Sequence, residues 1–125
     1  MVLKFLQVNT GRCRAAQDII HARRDIDIVI LSEPNKNRIT NNSSWFSDLN
    51  LDAAVGILNK SLCATEIFKG AGYVAIEVDQ ILIFSCYISP NVHHNIFTSA
   101  WKEITNLAKI AEKNGKKVLI AGDLN

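Results

Sequence analysis

The chain has 125 residues, of which 48% are hydrophobic and 21% charged, and its formal net charge is +2. This composition is typical of one ordinary folded domain and excludes a disordered chain, while so small a charge does not by itself indicate a nucleic-acid binder. An apolar stretch approaching the roughly 20 residues of a membrane helix is absent. No charged and then apolar leader precedes the first strand, so we expect a nuclear or cytoplasmic protein that is not secreted.

The apolar periodicity divides the chain into strands and two helices. Alternating or continuous apolar runs predict seven strands, over residues 2–8, 25–31, 53–58, 62–68, 73–78, 81–87 and 118–121. Amphipathic spacing predicts helices over 11–24 and 92–113, and the polar segment 35–52 reads as a long loop. Because turn residues separate the middle strands, residues 53–87 are interpreted as one antiparallel meander. The chain is therefore predicted to be one α/β domain with a mixed β-sheet and helices on one face.

Polar residues follow several of these strands directly. Asn9, Glu33, Tyr87, Asp123 and Asn125 each stand at or just beyond the carboxyl end of an apolar strand. In α/β proteins a site is commonly assembled from such strand ends. We therefore expect these five side chains to converge on one rim.

The residue types suit phosphate chemistry, and each also has a simpler reading. Glu33 offers a hard oxygen ligand for Mg²⁺, or is an exposed glutamate at a strand end. Asp123 could deprotonate a water molecule, or belong to a Gly-Asp turn. Tyr87 could donate to a phosphate oxygen, or lie half-buried against the next helix. Arg12 could contact phosphate, or cap its helix.

Four short segments, taken in order, resemble the motifs of the endonuclease/exonuclease/phosphatase superfamily. They are Gln7-Val8-Asn9 with Arg12, Leu31-Ser32-Glu33-Pro34, Tyr87-Ile88-Ser89-Pro90 and Gly122-Asp123-Leu124-Asn125. The chain is most similar to the apurinic-like endonuclease domain of non-LTR retrotransposons, and the resemblance covers residues 1–125.

This resemblance implies Mg²⁺-dependent hydrolysis of a DNA phosphodiester, in which a nick in target DNA primes reverse transcription. It places Glu33 on the metal and Asp123 on the attacking water, and it implies that Asn9, Tyr87 and Asn125 hold the phosphate, with Arg12 as a further substrate contact. The implied fold is one half of a two-sheet α/β/β/α sandwich.

Two other readings stay open. One is a phosphodiesterase of another branch acting on lipid or inositol phosphates, and the other is a non-catalytic remnant that binds DNA or protein.

The sequence departs from the family pattern in two ways. Thr10-Gly11 follows Asn9 where many relatives have Asp or Asn, so a second carboxylate ligand is missing. The Ser-Asp-His motif of the family's C-terminal half is absent as well; His21, His93 and His94 are not placed to replace it. We therefore expect a domain truncated after Gly-Asp-Leu-Asn, inactive or weakly active alone, which leaves open whether the chain is an enzyme. With only one sheet, its inner face would be exposed and would favour self-association through Val74, Ile76, Val78, Ile81 and Ile83.

Overall fold

The computed structural model describes residues 2–40, 42–89 and 93–124, except for the side chain of Leu124. These residues form eight strands and three helices. In chain order they are β1 (Phe5–Asn9), α1 (Arg14–His21), β2 (Ile28–Ser32), α2 (Lys36–Ile39), β3 (Trp45–Ser47), β4 (Ala53–Ile57), β5 (Glu66–Gly70), β6 (Tyr73–Val78), β7 (Ile81–Ile88), α3 (His94–Lys113) and β8 (Lys117–Leu124). None of the helices in the described part of the chain is long and apolar enough to cross a membrane.

The strands form two mixed sheets of four. Sheet A has the order β1-β2-β4-β3, with β1 parallel to β2 and the other pairs antiparallel. Sheet B has the order β5-β6-β7-β8; β5, β6 and β7 form an antiparallel meander and β8 runs parallel to β7. Each sheet therefore contains one parallel pair, β1 with β2 and β7 with β8. The carboxyl ends of each pair lie at one edge of its sheet.

The two sheets face each other across the main hydrophobic core. Its fully buried side chains come from β2 and β4 on one side and from β6 and β7 on the other; they include Ile28, Ile30, Val55, Ile57, Val74, Ile76, Val78 and Ile83. Two smaller cores lie outside the sheets. Ile20 of α1 packs on the outer face of sheet A, and Ile104 of α3 packs on the outer face of sheet B. The layers are therefore helix, sheet, sheet and helix.

The predicted α/β class with mixed sheets is confirmed, and each sheet carries its helices on one face. The number of sheets differs from the expectation, because the chain contributes to both halves of the sandwich. Strand β4 is not the first strand of a meander; it lies between β2 and β3, where both of its faces are buried. The expected loop over 35–52 also contains α2 and β3.

This arrangement removes the basis for the expected self-association. Val74, Ile76, Val78 and Ile83 are at most 1% exposed, and Ile81 is partly buried against the same core. Sheet A covers the face that a single sheet would have left open. The patch expected to drive association is thus part of the interior.

Candidate functional site

Four of the predicted site residues lie together at one end of the two sheets. Asn9 ends β1, Glu33 directly follows β2, and Tyr87 and Asp123 lie near the ends of β7 and β8. Within sheet B, Tyr87 and Asp123 are register partners; within sheet A, Asn9 is the partner of Ser32, the residue before Glu33. We call these four side chains the site rim.

Two side-chain hydrogen bonds close the site rim across the gap between the sheets. The Asn9 amide donates from Nδ2 to Oδ2 of Asp123 at 3.0 Å, and the Tyr87 hydroxyl donates to Oε1 of Glu33 at 3.0 Å. A third link runs beside them, because Gln7 Nε2 donates to the carbonyl of Gly122 at 2.9 Å. These three hydrogen bonds therefore hold the pair β1 and β2 against the pair β7 and β8 at the carboxyl ends of the strands.

The backbone of Glu33 is held in an unusual conformation. Its φ of +49° is uncommon for a residue with a side chain. The Glu33 amide donates to the carbonyl of Asp52 at 2.8 Å, while its own carbonyl accepts from the Arg12 amide at 2.7 Å and from the Thr10 hydroxyl at 2.9 Å. Backbone strain of this kind persists only where the surroundings impose it, and it is concentrated at functional sites. The Thr10 hydroxyl therefore helps to hold the Glu33 carbonyl in place.

Arg12 turns its guanidinium toward protein groups. Nη2 pairs with the Asp52 carboxylate, and Nη1 donates to the carbonyl of Pro34 at 3.0 Å and to that of Leu51. Arg12 also has a positive φ of +64°, so it precedes α1 without belonging to it. A phosphate would have to compete with these partners, and the predicted substrate contact of Arg12 stays a prediction.

The electrostatics of the site rim are those of a negatively charged surface. The hydrogen bond to Glu33 is the largest cause of a raised pKa at Tyr87; partial burial and the charges of Glu33, Asp52 and Asp123 add to it. Tyr87 is therefore a protonated donor at neutral pH. Three carboxylates close enough to affect one hydroxyl also make this end of the molecule attractive to a cation.

Other predicted residues lie elsewhere or outside the described residues. Asn125 is not among the described residues, so its predicted place on the site rim stays a prediction. His93 is exposed and caps α3, because its Nδ1 accepts from the Asn95 amide at 3.2 Å. His94 begins α3 and is exposed, as expected for a surface residue.

Sequence reasoning missed three residues that shape the site. Asp52 carries the carbonyl that binds Glu33 and the carboxylate that binds Arg12. Asp48 is a buried carboxylate, only 2% exposed, and Gln7 joins β1 to β8. A signal for the two aspartates was available: Asp48 and Asp52 are four residues apart just before an apolar strand, a spacing at which a short acidic side chain can bind the backbone of a turn.

The donor set at the site rim suits a hard divalent cation. Carboxylate oxygens such as those of Glu33 and Asp123 are ligand types that Mg²⁺ prefers, whereas the amide oxygen of Asn9 already accepts from the Gly11 amide at 2.8 Å. Among the described residues no group of three or more His, Cys, Asp or Glu side chains is arranged to hold a metal ion. Since Mg²⁺ is usually held by one or two carboxylates, waters and substrate phosphate, two carboxylates are compatible with it.

No protein-family model and no curated protein matches the sequence. Among solved structures, the chain is similar to one described as the "Endonuclease domain of TRAS1, a telomere-specific non-LTR retrotransposon", with a TM-score of 0.73 and 19% sequence identity. The chain has the fold of that endonuclease domain. The similarity covers 98% of this chain and 58% of the TRAS1 chain, so the protein spans less than two thirds of its structural neighbour.

Proposed function

We propose that this chain carries the N-terminal part of the active site of a Mg²⁺-dependent DNA endonuclease that nicks target DNA for retrotransposition. The observation that carries the proposal is the convergence of Asn9, Glu33, Tyr87 and Asp123 at the carboxyl ends of two parallel strand pairs, closed by two hydrogen bonds. The shared fold with the TRAS1 endonuclease domain supports this class of reaction over others built on α/β sheets.

In the proposed mechanism Asp123 is the base. Asn9 donates to Oδ2 of Asp123 and so fixes the plane of the carboxylate. A water molecule that loses its proton to Asp123 bonds to phosphorus while the bond from phosphorus to the leaving sugar oxygen breaks. The sugar oxygen leaves with the electron pair of that bond and takes a proton from solvent water. Such a positioned base typically contributes about 10²–10⁴-fold to the rate.

Glu33 and Tyr87 would act on charge at the phosphate. Glu33 would hold Mg²⁺, which when bound would neutralise charge on the phosphoryl oxygens. Tyr87, kept protonated by its surroundings, would donate to a phosphoryl oxygen when the substrate replaces or shares its bond to Glu33. Asn125 would complete the phosphate contacts.

The charge at the site rim separates this proposal from a non-catalytic DNA-binding remnant. Without a cation, Glu33 and Asp123 would repel a DNA phosphate, and the charge of Arg12 is already balanced by Asp52. A cation reverses this balance. The geometry therefore favours metal-assisted cleavage over binding alone at this end of the molecule.

A nicking assay on supercoiled plasmid tests the proposal, with the C-terminal part of such a domain supplied in trans because the chain spans 58% of its structural neighbour. All nicking measurements below use the protein supplemented in this way. We expect nicking to require Mg²⁺, to stop on chelation, and to fall at least about 10²-fold in Glu33→Gln and in Asp123→Asn. Asp79→Asn is the matched control, because Asp79 lies in the β6–β7 turn at the opposite end of β7 from Tyr87, and its φ of +52° suits asparagine.

A measurement of metal binding makes the test independent of turnover. Mn²⁺, a paramagnetic substitute for Mg²⁺, should broaden the NMR signals of residues 9, 33, 87 and 123 in the unmodified chain and in Asp79→Asn, and should do so much less in Glu33→Gln. Nicking by Glu33→Gln and Asp123→Asn at the rate of the unmodified chain would contradict the proposal. Broadening that is the same in Glu33→Gln would contradict the metal assignment.

A further inference from the structure

Asp48 is a buried carboxylate that lies outside the site rim and is surrounded by backbone donors. It is 2% exposed, and both of its oxygens accept hydrogen bonds from N–H groups. Oδ1 accepts from Asp52 at 2.7 Å and from Ala53 at 3.0 Å; Oδ2 accepts from Gly72 at 2.9 Å and from Asn50 at 3.3 Å. A carboxylate is suited to this place because it accepts at both oxygens and has nothing to donate.

On the side of sheet A, Asp48 fixes the segment that holds Glu33. Its Oδ1 binds the Asp52 amide, and the Asp52 carbonyl in turn accepts from the Glu33 amide at 2.8 Å. The Asp52 carboxylate also binds the Arg12 guanidinium, and the Arg12 amide donates to the Glu33 carbonyl. The Glu33 amide is therefore bound to Asp52 directly, and the Glu33 carbonyl is bound to it through Arg12. Asp48 in turn holds Asp52 in place.

On the side of sheet B, Asp48 fixes the segment that holds Tyr87. Its Oδ2 accepts from the amide of Gly72 in the β5–β6 turn. The Gly72 carbonyl accepts from the Tyr87 amide at 2.8 Å, at the position where the ladder between β6 and β7 ends. One side chain thus connects the backbone beside Glu33 to the backbone beside Tyr87.

We propose that Asp48 is a positioning residue that sets the separation of Glu33 and Tyr87. It does so by tying residues 48–53, which lead from β3 into β4 of sheet A, to the β5–β6 turn of sheet B. The catalytic consequence rests on the proposed function, whereas the structural link does not. Glu33 and Tyr87 sit on different sheets, and their single hydrogen bond is exposed to competition from water and substrate. Buried ties keep the two residues in place when that bond is exchanged for a phosphate. The Ser85 hydroxyl, which donates to the Leu31 carbonyl at 3.1 Å, joins β7 to β2, and Asp48 joins the backbone beside Glu33 to that beside Tyr87.

Asp48→Asn tests the link, because the amide has nearly the same shape but must turn an NH₂ group toward backbone N–H donors. The readout is hydrogen exchange of the Glu33 and Tyr87 amides, which donate to the carbonyls of Asp52 and Gly72 at 2.8 Å. The amides of Asp52 and Gly72 in turn donate to the Asp48 carboxylate. We expect Asp48→Asn to speed the exchange of both amides, because the backbone that accepts from them is loosened.

Asp27→Asn is the matched control. Asp27 also braces the backbone, accepting from the Lys4 amide at 2.8 Å and from the Asn59 side chain at 2.9 Å, but it precedes β2 and so lies at the end of sheet A away from Glu33. We expect Asp27→Asn to lower the melting temperature and to leave the exchange of the Glu33 and Tyr87 amides unchanged. Unchanged exchange of these two amides in folded Asp48→Asn, or an equal change in both variants, would overturn the proposal.

Amide hydrogen exchange in the unmodified protein covers the case in which Asp48→Asn does not fold. The Gly72 and Asp52 amides should exchange as slowly as amides inside the β6–β7 ladder, because their acceptor is buried. Exchange of either amide at the rate of an exposed loop would overturn the proposal.

Cleavage kinetics separate this inference from the proposed function. Asp48→Asn should lower kcat by about 10-fold to 10²-fold and leave KM for plasmid nearly unchanged, because it misplaces groups that act in the transition state. If Glu33→Gln and Asp123→Asn nick normally while Asp48→Asn speeds the exchange of the Glu33 and Tyr87 amides, the proposed function fails and the positioning role stands.

Discussion

At the scale of single residues, the site rim gathers groups that the sequence places far apart. Asn9 and Asp123 are separated by 114 positions, and Glu33 and Tyr87 by 54. Their positions at strand ends were predictable, because an apolar run that stops at a polar residue marks the end of a strand. Their partners were not, since a one-dimensional pattern does not say which strand ends face each other across two sheets.

Arg12 illustrates the same limit. An arginine after a strand and before a helix reads equally well as a phosphate ligand or as a cap. The structure gives it Leu51 and Asp52 as partners, from the segment that the sequence interprets as loop, and Pro34 just before that segment. Only the fold brings that loop beside Arg12, so the pairing has no local signal.

His21 provides a pH prediction at this scale. It stacks on Trp45, with ring centroids 4.6 Å apart, and its Nε2 lies 3.2 Å from Nε2 of Gln17. Because Oε1 of Gln17 already accepts from the Asn35 amide at 2.6 Å, the Gln17 amide must donate to His21, which requires a neutral imidazole. Burial lowers the pKa of His21 below 6.5; Arg38 adds to this lowering, and Asp18 opposes it.

The sign of the stability change follows from this lowered pKa. Below pH 6.5 the unfolded chain takes up a proton at His21 before the folded chain does, so the stabilisation is complete above that pH and declines as pH falls toward the lowered pKa. Urea unfolding at about pH 7.5 and about pH 5.5 should show a larger loss in the unmodified protein than in His21→Gln, which keeps an acceptor for Gln17 but does not titrate. Equal losses in the two proteins would rule out His21 as the titrating group.

At the scale of secondary-structure elements, the sequence located most strands and misassigned one. The apolar run predicted as a strand over 53–58 forms β4 over 53–57, but its neighbours are β2 and β3, which come earlier in the chain. Turn residues after β4 look like a hairpin turn in isolation. Burial of both faces of β4 decides the pairing, because a strand covered on two faces is stabilised in the middle of a sheet.

The pairing of β7 with β8 provides a prediction about Gly122. Its φ is +139°, and a Cβ placed there would lie 2.0 Å from the Cys86 carbonyl oxygen and 2.7 Å from the Cys86 nitrogen. Backbone atoms cannot move aside as the end of a flexible side chain can. Gly122→Ala should therefore push β8 away from β7 at the position next to Asp123. We expect a loss of about 2–5 kcal/mol in the free energy of unfolding and a loss of nicking.

Gly115→Ala is the control for this variant. Gly115 also has a positive φ, +79°, but a Cβ there would meet nothing within 4 Å. Gly115→Ala should lower the free energy of unfolding only by the cost of placing alanine in a left-handed backbone conformation, about 1–2 kcal/mol. Nicking should be unchanged. Guanidinium unfolding followed by circular dichroism gives both values; similar costs for the two alanines would show that the contact with Cys86 is not what makes Gly122 necessary.

At the scale of the whole molecule, the two sheets share one interior. The sequence identified the apolar residues of the middle strands as an inner face but gave no sign of what covers it. The answer lies in β2 and β4, whose apolar side chains meet those of β6 and β7. A continuous apolar strand such as 28–31 shows that both faces are buried, yet it does not show which element buries each face.

The chain spans 58% of its structural neighbour, yet the layers of the sandwich are recognisable in it. The two-sheet core explains this. Both sheets are represented, each with a parallel pair and a covering helix. Since the site rim lies across the gap between the sheets, its geometry depends on the core that holds them together. Weakening that core should therefore affect stability and the site at once.

Ile76→Ala tests this dependence. Ile76 is fully buried, and its side chain belongs to the core between the sheets. Truncation should cost about 2–5 kcal/mol through lost burial and the cavity left behind. Ile110→Ala removes the same atoms from a residue that is 51% exposed on α3, and its cost should stay within about 0.5 kcal/mol.

The same pair of variants reports on the link between core and site. Each variant is made in a Trp101→Phe background, because the chain has two tryptophans and Trp101 lies on α3, which covers sheet B. Fluorescence then reports on Trp45 of sheet A, while Ile76 lies in sheet B. If the sheets form one cooperative unit, Ile76→Ala should shift the urea midpoint of tryptophan fluorescence and that of circular dichroism together. Separate midpoints would mean that the sheets unfold independently. In that case the hydrogen bonds of the site rim would have to hold the two sheets in place with little help from the core between them.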